Sequence, residues 1–250
     1  MRKNLAVYIP AVLAVLAVKV YYRTADSDML SWILAPTTWW VEGLSGISFE
    51  NAAPVGYVSH EYRFIIAPSC SGVRFLLIVF VMMVFSFTQR IDTMRTKICW
   101  LGFSAVFAYL ATIFVNGIRI TVSIYLPLVL ADSGCLPRGM TASQLHTMIG
   151  TTVYFSMLFV IYDLAGRFCQ RFFIQMEVTQ WNMPGHFWTP VFWYAVMVLG
   201  IPAAGRLYRN DWTGFLQYTV IVAGVCISVA LAVCLLRKIF SSGRMSKRVS

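Results

Sequence analysis

The sequence predicts an all-α fold: a polytopic membrane helix bundle of about six spans, with one interfacial helix and a short extracytoplasmic hairpin. Three observations carry this. Hydrophobic residues make up 59% of the 250 and charged residues only 12%, about half the share that a soluble domain uses to face water. The apolar residues come in runs long enough for a bilayer, which takes about 20 residues of helix. The basic residues gather in short segments between those runs, as they do in membrane proteins.

Taken in order, Leu5–Tyr22 is the first run, with Lys19 near its end placed to snorkel. Arg2-Lys3 ahead of it resembles the start of a signal peptide, but no small-residue cleavage site closes the run and further spans follow, so an uncleaved span is expected. Leu30–Gly46 is apolar and rich in Trp (Trp32, Trp39, Trp40), yet it carries Pro36, Glu42 and two glycines. Trp favours the membrane–water interface, so an interfacial or re-entrant helix is expected here, with a full span as the alternative. Asn51–Ser69 reads as extended, through Val55–Val58 and Tyr62–Ile66, and suggests a hairpin. Val73–Thr88, Ile98–Asn116, Thr147–Leu164, Phe187–Ala204 and Phe215–Leu236 supply five more spans. Residues 1–240 form one integral membrane domain, and 241–250 reads as a disordered basic tail.

Charge sets the expected topology. With the N-terminus inside and six spans, Arg2, Lys3, Arg90, Arg95, Lys97, Arg167, Arg171 and the basic residues from Arg237 to Arg248 share the cytoplasmic side. Few acids join them, namely Asp92 and Glu177, while Asp26, Asp28, Glu42, Glu50, Glu61, Asp132 and Asp211 fall outside. A full span at 30–46 would invert every later loop against this bias. Both termini are therefore expected to be cytoplasmic, in the cell's inner (plasma) membrane. The formal charge of +10 does not indicate nucleic acid, because no groove-reading motif or basic face accompanies it.

Three reactive side chains then fall at one outer depth. Cys70, in Pro68-Ser69-Cys70-Ser71-Gly72-Val73-Arg74, precedes the second span. Ser69 reads as an N-cap for a helix starting at Cys70, where unpaired N–H groups and the positive dipole end favour a thiolate. Arg74, four residues on, would share that helix face. The bland alternative is a buried, inert thiol. Arg119 follows the third span, with Asn116 three residues earlier on the same face and able to orient the guanidinium. A guanidinium there suits a carboxylate or an acyl-transfer oxyanion, although an isolated arginine at a helix end commonly only snorkels. His146 precedes the fourth span, just after a capping pattern at Thr141–Gln144. An imidazole in an early helical turn, where the dipole opposes its protonation, can take a proton from a thiol or return one to a leaving amine; a merely hydrogen-bonded interfacial histidine is the alternative. Gly150, four residues on, leaves room for an approaching group.

The remaining candidates are weaker. His60 and His186 stand apart, no zinc-type spacing occurs, and the cysteines (70, 99, 135, 169, 226 and 234) show no CxxC. No metal and no cofactor are expected.

Ser69-Cys70-Ser71-Gly72, Asn116-Gly117-Ile118-Arg119 and His146-x-x-x-Gly150, in this order and spacing, resemble the exosortase/archaeosortase family of membrane cysteine transpeptidases. The Pro36 segment and the Gly56-containing outer loop match its layout, so the resemblance covers roughly residues 28–165. The stretch before Cys70 is shorter than in longer members, and the two spans within 187–236 have no counterpart in the family core. The resemblance implies cleavage of C-terminal sorting signals on exported membrane proteins: a short motif, a transmembrane helix and a basic cluster. Cys70 would attack and form a thioester, which a lipid or cell-surface glycan acceptor would resolve. His146 would serve as general base and acid, and Arg119 as oxyanion or substrate clamp, with Asn116, Ser71 and Arg74 in support.

Three other classes compete. A transporter would call for paired broken helices or midplane charges, and the sequence offers neither. A membrane scaffold or assembly factor would tolerate loss of Cys70. A thiol oxidoreductase would need a second cysteine beside Cys70, for which Cys135 is the candidate on that side.

Overall fold

The computed structural model describes residues 2–133, 141–173, 187–209, 212 and 214–246. Cys135, Glu177, His186 and Asp211 lie outside the described residues. Among the described residues, six helices are long and apolar enough to cross a membrane, so the chain is a membrane-spanning helix bundle.

The first span is α1 (Arg2–Thr24), followed by the shorter α2 (Ser31–Ser45). At ~1.5 Å per residue α2 covers about 22 Å, short of the ~30 Å hydrocarbon core, which accords with an interfacial or re-entrant helix. It ends at Gly46, whose left-handed φ of 70° lets its N–H return to the Glu42 carbonyl. Next come β1 (Glu50–Ala52), β2 (Gly56–Ser59) and β3 (Phe64–Ile66), an antiparallel meander with Asn51 opposite Tyr57 and Val58 opposite Ile65. The expected hairpin is thus three-stranded. Gly56 is required where β2 meets β3: its φ is 134° and a Cβ would stand 2.3 Å from the Ile66 carbonyl oxygen.

The chain then enters α3 (Val73–Phe87), the centre of the bundle and the most buried of the spans among the described residues. Around it pack α1, α4 (Met94–Asp132), α5 (Ala142–Phe172) and α6 (Trp188–Ala195), which leads on to α7 (Ile201–Arg209), while α8 (Phe215–Ser246) packs on α5. Phe75, Phe87, Trp100, Phe155 and Tyr162 interlock in the main apolar core. Between α6 and α7, residues Val196–Gly200 form a π turn. Pro202 explains it, because the residue has no N–H to donate and its ring crowds the carbonyl four residues back.

Two expectations need correction. The third span does not end at Asn116; α4 runs on to Asp132. Its continuation is held from outside by α2: Ile120 and Ile124 are buried with Ile33, Leu34 and Val41, and the Tyr125 hydroxyl donates to the Ser45 carbonyl at 2.8 Å. Arg119 therefore sits inside a continuous helix. The tail is likewise not wholly irregular, since α8 continues through Ser246. Residues 247–250 lie outside the described residues.

Candidate active site

The segment that carries Cys70 is not the first turn of a helix. Ala67 is extended and Pro68 opens a 3-10 turn, Pro68–Cys70, closed by Cys70 N–H to the Ala67 carbonyl (2.8 Å) and Ser71 N–H to the Pro68 carbonyl (3.1 Å). Gly72 then takes a left-handed φ of 76° and α3 starts at Val73. Ser69 is therefore not the cap of a helix that begins at Cys70; Gly72 precedes α3, with its carbonyl accepting from Leu76 N–H at 3.0 Å. Two constraints select glycine here, the positive φ and the neighbours: a Cβ would sit 3.0 Å from both Asn116 Cγ and Thr112 Cγ2. The break also removes the expected i,i+4 relation between Cys70 and Arg74. Arg74 is exposed in the first turn of α3 and forms no hydrogen bond or ion pair with Cys70.

Cys70 itself is buried under α2 and the sheet, packed with Leu30, Ile33, Ile66 and Ile120. Its backbone ties it to α4, because Asn116 Nδ2 donates to the Cys70 carbonyl at 2.6 Å. Asn116 is fully buried. Its Oδ1 accepts from the Tyr154 hydroxyl at 2.6 Å and from Arg119 Nη1 at 3.3 Å. Arg119 also donates from Nη1 to the Tyr154 hydroxyl at 3.4 Å, and its Nη2 meets Nε2 of His146. The guanidinium carbon lies 5.4 Å from the centroid of the Tyr154 ring. Cys70, Asn116, Arg119 and His146, expected together from the sequence, thus belong to one network that joins the 3-10 turn, α4 and α5.

All of this gathers at one end of the bundle. Met94 to Arg119 covers about 38 Å of helix at ~1.5 Å per residue, more than the ~30 Å of a hydrocarbon core. His146 lies near the start of α5, which opens with a capping box: Gln144 N–H donates to Thr141 Oγ1 and Thr141 N–H to Gln144 Oε1. Gly150, one turn after His146, is what admits Arg119, since a Cβ there would be 3.2 Å from Nε. A second glycine sets the neighbouring helix. A Cβ at Gly117 would lie 2.2 Å from Trp40 Cδ1, so α2 presses directly on the α4 backbone beside Asn116.

The electrostatics are unusual. Arg119 is only 7% exposed, yet among the described residues no carboxylate lies within ion-pair distance of it. Its partners are neutral or shared, and Nε has no hydrogen-bond partner. A buried guanidinium without a counter-ion is costly, and an arriving anion or developing oxyanion would relieve it. Ser71, fully buried next to Cys70, also has an unpartnered hydroxyl. Among the described residues, no three His, Cys, Asp or Glu side chains gather to hold a metal ion. Asp163 pairs with Arg167 at 2.8 Å on α5, and His60 faces Glu50 at 3.9 Å on the exposed sheet, both away from this network.

Tyr154 was not among the sequence candidates. A signal for it existed, because His146, Gly150 and Tyr154 recur every four residues and so share a face of α5. A lone tyrosine in an apolar helix gives no further sign of its partners. Comparison with family models, with curated proteins and with solved structures finds no match.

Proposed function

We propose that this chain is a membrane-embedded cysteine peptidase or transpeptidase of the exosortase/archaeosortase type, acting on exported membrane proteins that end in a sorting signal. The observation that carries the reading is the contact between Arg119 and His146 beside the turn that holds Cys70. It supplies a nucleophile, a proton acceptor and a desolvated cation at one end of the bundle, the components an acyl transfer needs. The charge bias of the loops supports a topology with that end on the extracytoplasmic side of the inner membrane and both termini cytoplasmic.

The resting geometry suggests an order of events. Arg119 holds Nε2 of His146, so the imidazole is engaged until another acceptor arrives. A substrate peptide carbonyl gives the guanidinium an oxygen and releases Nε2 to take the Cys70 proton. Sulfur then attacks the carbonyl carbon, and the tetrahedral oxyanion rests on Arg119. The C–N bond breaks, the imidazolium gives its proton to the leaving amine, and the substrate's helix-bearing tail departs. Finally an acceptor hydroxyl or amine, on a lipid or glycan carrier, or water, loses a proton to His146 and displaces the thiol from the thioester.

Co-expression with a tagged membrane protein ending in a short motif, a transmembrane helix and a basic cluster tests this. Wild type should shorten the substrate and pass through a hydroxylamine-sensitive adduct on Cys70; Cys70→Ala should do neither. Equal processing by both chains would remove the reading and leave a membrane assembly factor or a small transporter.

A further inference from the structure

We infer that Tyr154 is a positioning residue of this site: its hydroxyl fixes the Asn116 amide and, through that amide, the turn that carries Cys70. The inference rests on the reading of Cys70 as the reacting group.

The hydrogen bonds differ in strength along the network. Arg119 reaches Asn116 and Tyr154 at 3.3 and 3.4 Å, near the outer limit for such bonds. Tyr154 hydroxyl to Asn116 Oδ1 and Asn116 Nδ2 to the Cys70 carbonyl are both 2.6 Å. The tight path therefore runs from Tyr154 through Asn116 to Cys70, with Arg119 attached to its side.

An asparagine amide has two ends of nearly equal shape, one donating and one accepting. What decides which end faces Cys70 is the partner at the other end. An O–H directed at Oδ1 selects the orientation in which Nδ2 points at the Cys70 carbonyl. Remove that O–H and Asn116 Oδ1 keeps only the long bond from Arg119, in a fully buried position where a poorly satisfied amide is costly. The 3-10 turn then loses its fixed tie to α4.

The ring that carries the hydroxyl also packs. The Tyr154 ring stacks on Phe75 of α3, with centroids 4.4 Å apart and planes 11° from parallel. One face of α5 thus serves the site at three levels: His146 meets the guanidinium, Gly150 leaves space for it, and Tyr154 closes the network below.

A ring that only fills space would act the same without its oxygen, and this separates the two roles. The full-length chain in native membranes is alkylated with iodoacetamide across a range of pH, and Cys70 and Cys226 are quantified separately by mass spectrometry. Tyr154→Phe keeps the stack and removes the hydroxyl. It is expected to slow Cys70 alkylation at neutral pH by about threefold or more and to displace its rate–pH profile, with Cys226 unchanged. Phe75→Leu removes the stack and keeps the hydroxyl, and should leave the Cys70 profile near wild type. A Tyr154→Phe profile that coincides with wild type overturns the proposal. So does an equal effect of both variants, because packing would then explain it. A chain whose Cys70 responds to Tyr154→Phe but which processes no tagged substrate upholds the positioning role and removes the peptidase reading, so the two claims fail separately.

Discussion

The guanidinium of Arg119 on α4 meets the imidazole Nε2 of His146 on α5, across 27 residues of chain. This contact couples a permanent cation to a group able to carry a proton, in a position that no acid neutralises among the described residues. It makes the state of His146 depend on what else Arg119 can bind.

Arg119→Lys keeps the charge and discards the planar fork. Lysine is a point charge and cannot serve Asn116, Tyr154 and His146 together. Substrate processing by this variant should fall by about a hundredfold, the usual scale for losing an oxyanion donor, while membrane expression persists. A pulse-chase of tagged substrate measures this. Wild-type rates in the lysine variant would mean that charge alone suffices and that the hydrogen-bonded geometry is incidental.

Gly150→Ala separates stability from activity. Alanine is favoured over glycine inside a helix by about 1 kcal/mol, but its methyl would stand 3.2 Å from Arg119 Nε. The guanidinium, tied to three partners, has to shift by a few tenths of an ångström. The expected result is a thermal midpoint in detergent at or above wild type with processing reduced about tenfold. A less stable but fully active protein would contradict the geometry.

Gly117→Ala should act on the fold. Its Cβ would stand 2.2 Å from Trp40 Cδ1, and the indole is already packed on α4 against the Phe114 ring, with centroids 5.5 Å apart. Overpacking of this kind costs about 1–3 kcal/mol. Thermal unfolding in detergent should show a clear loss, and Trp40→Leu in the same chain should recover part of it. Additive effects of the two changes would indicate that α2 does not bear on Gly117.

Ser71→Ala removes a buried hydroxyl that has no partner. No hydrogen bond is lost in the resting protein, so stability should hold or rise slightly. If the hydroxyl awaits substrate, processing falls by about tenfold, the worth of roughly one hydrogen bond to a charged or developing charge. Full activity would assign Ser71 to packing alone.

The spans, the short α2 and the capped start of α5 were all legible in the chain. Lipid is the solvent, and a bilayer core admits only runs of apolar helix of a given length, so the pattern of hydropathy fixes where α1, α3 and α8 lie. Thr141 and Gln144 satisfy each other within one turn, and such local bonds need no partner from elsewhere. The grouping of Cys70, Asn116, Arg119 and His146 was legible too, from their shared depth at one side of the apolar runs, although α4 does not end there.

Tertiary structure decided the rest. In a membrane, neighbouring helices are as apolar as lipid, so hydropathy does not say which face meets which. Only packing placed Trp40 on Gly117, carried α4 beyond Arg119 under the cover of α2, and stacked Tyr154 on Phe75. The local signals of the Cys70 segment permit a helix start. The close approach of Asn116 and Thr112 to Gly72 accompanies a 3-10 turn and a left-handed residue instead, and that turned Arg74 out of the site. Sequence specified which groups reach one end of the bundle, because that depends on lengths; packing specified which atoms touch, because hydrogen bonds across 27 to 46 residues exist only once the helices are together.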